Sequence, residues 1–317
     1  MITIGLDVGG TKVLGVAVDA AAPGKILASR RVPTPDGGAG VVQCLAAAVA
    51  ELAAEVGAPR AVGVGVPGLV DRAGVLHMGP HLRFIAELPL VSRLRQAVGV
   101  PVAADNDANC HALAELRAGA AAGASEALVV TLGTGIGAGV ITSGAVLRGA
   151  NGFAGEPGHM IVDPNGPPCP CGKRGCWERF ASGTGLRRLA GDAALGGRLE
   201  AAVTLAGGDV YAVRGEHVTA AARDGDGEAL QLLDHFAWWI GLGLANLVNI
   251  LDPSVIVIGG GLSGEADLLL PAVQPHFETL VMAGDQRPAT PILAAKLGEE
   301  AGAIGAAALA SDLLTAV

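Results

Sequence analysis

One His and three Cys fall within eighteen residues: His159, Cys169, Cys171 and Cys176. No other part of the chain constrains its neighbours so tightly. Zinc prefers imidazole and thiolate ligands in a closed tetrahedron, and a His/Cys₃ set fills all four positions, leaving none for water. The stretch therefore reads as a structural zinc loop. Pro167, Pro168, Pro170, Gly172 and Gly175 allow the tight turns that bring three sulfurs to one point. A disulfide, or three unrelated thiols, are the competing readings. Cys169 and Cys171 are too close in sequence to pair comfortably. Glu156 and Glu178 flank the loop, so a metal that fixes it also fixes two carboxylates able to grip a polyol.

The chain has 317 residues, enough for two domains or one large α/β domain. Half of it is hydrophobic, but only 3% is aromatic, so the core must be built from Ala, Val, Leu and Ile. Its 49 glycines are roughly twice the usual share and suggest backbone wrapped around ligands. A net charge of −9 without a basic cluster argues against a nucleic-acid surface. Met1 leads straight into an alternating strand with no basic n-region, which points to a cytoplasmic protein. The uncharged run 127–147 has the length of a membrane helix. Its glycines at 133, 135, 137, 139 and 144 fit strand-turn-strand better, and no membrane partner is expected.

Residues 2–19 read as a hairpin whose turn holds Asp7, Gly9, Gly10, Thr11 and Lys12. The glycines let backbone N–H groups approach a phosphate, Thr11 and Lys12 add donors, and Asp7 can hold Mg²⁺ directly or through water. An ordinary hairpin with an acidic turn is the plain alternative. Residues 128–141 repeat the pattern: Leu132-Gly133-Thr134-Gly135 lines up with Leu6-Asp7-Val8-Gly9 at an offset of 126. This second turn has no acid; Gly133, Thr134, Gly135 and Gly137 suit polyphosphate oxygens better than a metal. A strand at 254–258 enters a third glycine turn, Gly259-Gly260-Gly261, and then a helix. Such a turn admits a flat ring or a phosphate.

A helix over 41–56, a buried strand over 61–66, a helix over 88–98 and a strand over 100–104 follow from periodicity. The last strand delivers Asp105-Asn106-Asp107-Ala108-Asn109 into a helix over 108–118. Polar side chains at the carboxyl end of a strand are where open α/β sheets bind ligands. Asp107 is the candidate general base, and Asn106 can hydrogen-bond neighbouring hydroxyls. The competing reading is an N-cap, and the sequence does not say which of the three caps. Later, 192–215 is poorly patterned, while 218–223, 228–249 and 302–314 read as helices and 292–294 as a strand. Trp238 and Trp239 read as core, and Cys44 and Cys110 as free buried thiols.

With these pieces in order, essentially the whole chain resembles the ROK family (repressors, open reading frames and kinases) of the actin/hexokinase-like, ribonuclease H-like superfamily. Asp7-x-Gly9-x-Thr11, Gly133-Thr134-Gly135-x-Gly137 and Gly259-Gly260-Gly261 look like that superfamily's two phosphate loops and adenosine loop. Glu156-x-x-His159 followed by Cys-x-Cys-Gly-x-x-Gly-Cys-x-Glu is the ROK-specific part. The resemblance implies an α/β fold of two domains with an interdomain cleft. The small domain would be 1–109 with 299–317, and the large one 110–298. It implies a sugar kinase using Mg-ATP, most similar to the bacterial ATP-dependent glucokinases. Asp107 would take the proton from the glucose 6-hydroxyl, and Asn106, Glu156, His159 and Glu178, with Gly68, would line the sugar site. His159 would bind zinc with one ring nitrogen and face the sugar with the other. A homodimer or homotetramer is implied as well.

Where those glucokinases show Pro-Asn-Leu, this chain has Pro80-His81-Leu82, a departure that bears on glucose specificity. Other ROK activities remain as rivals: a kinase for fructose, mannose or N-acetylmannosamine, or a sugar-sensing repressor. The first strand begins at Ile2, which leaves no room ahead of it for a helix-turn-helix. Polyphosphate as donor would call for a basic groove, which the scattered Lys and Arg do not form.

Overall fold

The computed structural model describes residues 1–79 and 86–315; Pro80, His81 and Leu82 lie outside the described residues. Two compact units emerge: residues 1–129, 138–155 and 295 onward form the first, and residues 130–137 and 156–294 the second.

In the first unit β1 (Ile2–Val8), β2 (Lys12–Asp19) and β3 (Ala22–Pro33) form an antiparallel meander. The helix α1 (Gly38–Val56) then leads to β4 (Ala61–Val66), parallel to β1. Three short strands, β5 (Leu69–Val70), β6 (Leu76–Met78) and β7 (Ala86–Leu88), make a small sheet of their own. After α2 (Leu90–Val98), β8 (Val102–Asn106) pairs parallel with β4 and runs into α3 (Asp107–Ala118). The sheet order is β3-β2-β1-β4-β8. Among the described helices, α1 alone is long and apolar enough to cross a membrane. Its Val41, Leu45, Ala48, Val49 and Leu52 recur at helical spacing and pack into the core with Ile4, Leu6, Val62 and Val64.

The second sheet repeats the plan. Strands β9 (Ala127–Leu132), β10 (Ile136–Thr142) and β11 (Ala145–Val146) come first. The run that had the length of a membrane helix is therefore strand-turn-strand. Five helices follow: α4 (Glu178–Ala181), α5 (Gly183–Leu195), α6 (Glu200–Leu205), α7 (Gly215–Arg223) and α8 (Gly227–Leu251). Then come β12 (Val255–Gly259), α9 (Ala266–Leu280), β13 (Ile292–Ala294) and α10 (Ala301–Thr315). The order β11-β10-β9-β12-β13 is the same third-second-first-fourth-fifth arrangement as in the first sheet. The strand ends correct the internal alignment. Val8 and Lys12 bound one turn, Leu132 and Ile136 the other, so Gly9-Gly10-Thr11 matches Gly133-Thr134-Gly135 at an offset of 124, not 126.

The helix α10 belongs to the first unit and closes the second face of its sheet. Thr3, Gly5 and Asp7 alternate onto that face. A Cβ on Gly5 would lie 1.9 Å from the Ala303 carbonyl oxygen, and one on Gly63 in β4 would lie 1.7 Å from that of Ala306. Glycine here is a matter of space: helix and strand backbones touch. Two readings along the chain change. The poorly patterned stretch holds α6, and Trp238 and Trp239 are only half-buried.

Candidate active site and metal centre

At the junction of β8 and α3, three adjacent polar residues divide three tasks. Asp105 is buried and structural: it accepts from the Asn106 N–H at 2.8 Å and the Asn109 Nδ2 at 2.8 Å, and pairs with Arg148 Nε at 2.6 Å. Asn106 is the N-cap: its Oδ1 accepts from the Ala108 and Asn109 N–H groups at 2.8 and 3.3 Å. Its Nδ2 donates to the Gly68 carbonyl at 3.2 Å. Gly68 has φ +117 and lies against Met78, so only glycine fits there. Asp107 opens the helix half-buried, with Oδ1 accepting the Ala108 N–H at 2.9 Å. Its Oδ2 has no partner among the described residues. One turn later His111 donates Nδ1–H to the Asp107 carbonyl at 2.9 Å, leaving Nε2 unprotonated when the ring is neutral.

Asp7, at the end of β1, shares this environment. Burial pushes its carboxyl up to about 6; Asp107 adds to the rise, while His111 and Lys12 oppose it. Gly302, in the first turn of α10, lies so close that a Cβ would sit 2.6 Å from the Asp7 Cγ. The Lys12 ammonium donates to Glu299 at 2.8 Å, and Arg31 joins the same carboxylate at 3.0 Å. These groups are exposed, and an ion pair of that kind opens at little cost when a phosphate competes. The turn between β1 and β2 is closed by Gly9 N–H to the Lys12 carbonyl at 2.8 Å.

The matching turn in the second unit is closed by Gly133 N–H to the Gly135 carbonyl at 3.0 Å. Gly260, with φ +82, brings the triple-glycine turn against the end of β9: a Cβ there would lie 2.6 Å from the Leu132 carbonyl oxygen. The predicted Gly133–Gly137 and Gly259–Gly261 turns are thus neighbours within the second unit. Gly135 abuts a carboxylate, since a Cβ on it would lie 2.6 Å from Glu178 Oε2.

Glu178 also borders the metal residues. The donor atoms of His159, Cys169, Cys171 and Cys176 lie within 4.8 Å of one another. Cys171 and Cys176 sulfurs are 3.6 Å apart, and Cys169 Sγ is 3.8 Å from His159 Nδ1. With zinc bonds of about 2.3 Å to sulfur and 2.0–2.1 Å to nitrogen, a tetrahedron has edges of roughly 3.6–3.8 Å, so the set fits zinc. The sulfur separation is far beyond a disulfide bond, and all five cysteines are free. Of the two thiols left over, Cys110 is buried and Cys44 only partly so.

The backbone explains why the donors converge. Cys169 N–H donates to the Lys173 carbonyl at 2.8 Å and Gly172 N–H to the Cys169 carbonyl at 3.0 Å. Gly175, at φ +67, would place a Cβ 1.5 Å from the Asp163 carbonyl oxygen. Upstream, Glu156 heads the 3-10 turn Pro157–His159, its carbonyl accepting the His159 N–H at 3.2 Å, and Gly158 of that turn packs on the Ile136 carbonyl. Downstream, Trp177 is fully buried over Gly243 of α8 and donates its indole N–H to the Trp239 carbonyl at 2.8 Å. Phe180 stacks on Trp239 with centroids 4.1 Å apart. Glu178 Oε1 lies 3.0 Å from Cys169 Sγ and 3.7 Å from His159 Nδ1. Nδ1 is thus the ring nitrogen that faces the Cys169 sulfur.

Sequence spacing does not mark His111, the Asp105–Arg148 pair or Glu299. Their partners come from other elements or from i,i+4 contacts that no spacing rule singles out.

A model of the ROK family matches residues 3–313. The chain is 39% identical over 316 residues to a glucokinase of Streptomyces coelicolor, covering 98% of both chains. Among solved structures, a ROK family glucokinase from Streptomyces griseus, in complex with glucose and AMPPNP, superposes with a TM-score of 0.86. It is 39% identical, and the match covers 98% of this chain and all of that one. A ROK hexokinase from Thermus thermophilus gives a TM-score of 0.82 at 36% identity, covering both chains fully. With a family model spanning nearly every residue and relatives matched end to end, the chain belongs to the ROK family.

Proposed function

We propose that this protein transfers the γ-phosphoryl group of Mg-ATP to the 6-hydroxyl of glucose, giving glucose 6-phosphate and ADP. The observation that carries the reading is the division of labour at β8 and α3. Asp105 is spent on Arg148 and the Asn106 Oδ1 on the cap, while Asp107 keeps a carboxylate oxygen, and Asn106 one Nδ2 proton, for a ligand. Asp107 is the general base: it accepts the hydroxyl proton as the oxygen attacks. Asn106, Glu156, His159 and Glu178, with the Gly68 backbone, hold the other hydroxyls. Asp7 takes the magnesium, the Gly9–Lys12 and Gly133–Gly137 turns the phosphates, and Gly259–Gly261 the adenosine. Zinc, when bound by His159, Cys169, Cys171 and Cys176, supplies no reactive position; it holds the loop between Glu156 and Glu178 in shape. The enzyme acts in the cytoplasm as a homodimer or homotetramer.

The test is ADP release with Mg-ATP on glucose, mannose, fructose and N-acetylmannosamine, with Asp107→Asn beside the wild type. Glucose-dependent turnover should fall by about 10²–10⁴ in the variant, with glucose binding retained. Turnover on another hexose alone would move the substrate and make His81 the first residue to exchange. Zinc-replete protein that binds glucose and releases no ADP would sink the kinase reading.

A further inference from the structure

The two matching turns share a support that neither motif contains. In the first unit Thr34, just beyond β3, donates its hydroxyl to the Gly9 carbonyl at 2.7 Å and its N–H to the Thr11 carbonyl at 3.1 Å. In the second unit the start of α5 does the same job. Gly183 N–H donates to the Gly133 carbonyl at 2.8 Å, and the Thr184 hydroxyl to the Thr134 carbonyl at 2.8 Å. In both cases one threonine hydroxyl and one backbone N–H, from outside the turn, hold two of its carbonyls.

Holding a carbonyl also aims an amide. In a planar trans peptide the C=O of one residue and the N–H of the next point in opposite directions. Pinning Gly9 toward Thr34 turns the Gly10 N–H away from it. Pinning Gly133 and Thr134 toward α5 turns the Thr134 and Gly135 N–H groups outward. None of these three N–H groups has a partner among the described residues. Outward-facing successive amides are the concave donor sets that bind anions. Thr184 is itself well held. Ser182 caps α5 through Gly185 N–H at 3.2 Å, sends its own proton to the Glu178 carbonyl at 2.6 Å and lies 2.9 Å from the Thr184 hydroxyl, whose proton is shared between Ser182 Oγ and the Thr134 carbonyl.

We propose that Thr34 and Thr184 are positioning residues, one for each turn, which aim the turn amides at the nucleotide phosphates without touching them. The proposal rests on the kinase reading above. It is tested by titrating a non-hydrolysable ATP analogue with Mg²⁺ into wild type, Thr34→Val, Thr184→Val and the two Ser variants, with glucose affinity and thermal melting measured alongside. Each Val variant should weaken nucleotide binding about three- to tenfold, as expected for one lost hydrogen bond. Glucose affinity should stay unchanged, the melting temperature should fall by no more than a few degrees, and each Ser variant should restore the wild-type constant. In turnover the nucleotide KM should rise while the glucose KM does not. Val variants that bind nucleotide like wild type overturn the proposal and leave the kinase reading standing. Val variants that weaken glucose equally, or that Ser does not rescue, reduce the threonines to general structural roles. Wild-type protein that binds no nucleotide removes both.

Discussion

Asp7 is a carboxylate kept in a place that disfavours its charge. Its folded pKa of about 6 stands above the ordinary 3.8, chiefly through burial. Below 3.8 both folded and unfolded chains are protonated and nothing is lost. Between 3.8 and about 6 the unfolded chain ionises while the folded one still holds its proton, so stability falls as pH rises across that window and levels off above it. Asp7→Asn should therefore stabilise the ligand-free protein by about 2–3 kcal/mol at pH 7.5, a gain that shrinks to roughly 0.5 kcal/mol by pH 4. Urea unfolding at the two pH values checks this; an equal effect at both would refute it. The same variant should lose Mg-ATP turnover, a trade of stability for function common at active sites.

Among the elements, the His/Cys loop does more than gather four donor atoms. Gly158 rests on Ile136, and Glu178 Oε2 lies against Gly135, so the loop is braced on the second turn. Stripping zinc with a chelator should raise the dissociation constant of the ATP analogue as well as that of glucose, and added zinc should restore both. A change confined to glucose would contradict this coupling. Gly175→Ala should act like partial chelation, because its Cβ would strike the Asp163 carbonyl. Zinc content per chain, measured by mass spectrometry, should fall below one. Much of this loop is legible in sequence because its four donors lie close along the chain. The threonine supports are not, since Thr184 meets Thr134 fifty residues away and no periodicity marks it. Strand β3 escapes notice for another reason: it is an edge strand, exposed along most of its length, and lacks an apolar alternation.

At the scale of the molecule, the duplicated strand order was visible only as two similar turns. The correct offset depends on where strands end: residue identity alone aligns Gly135 with Gly9, whereas the strand ends align it with Thr11. That α10 packs closely could be read from its small residues, but not which strands it meets. Gly63→Ala should cost roughly 1–3 kcal/mol or more, since the Cβ enters the Ala306 carbonyl and two backbones must separate. Gly191→Ala, in α5 with open space around it, should instead stabilise by about 0.5–1 kcal/mol. Thermal and urea unfolding of the pair separate spatial need from mere abundance of glycine.

The seat of α10 on β1 and β4 also sets an order of assembly. The ribosome makes the first sheet at the outset, yet the helix that covers its second face follows every residue of the second unit. A chain whose first 294 residues have emerged from the ribosome has every residue of the second unit free to fold while the first sheet still shows Thr3, Gly5, Asp7 and Gly63 to water. The sheet that is translated first is the one that must wait longest to be protected.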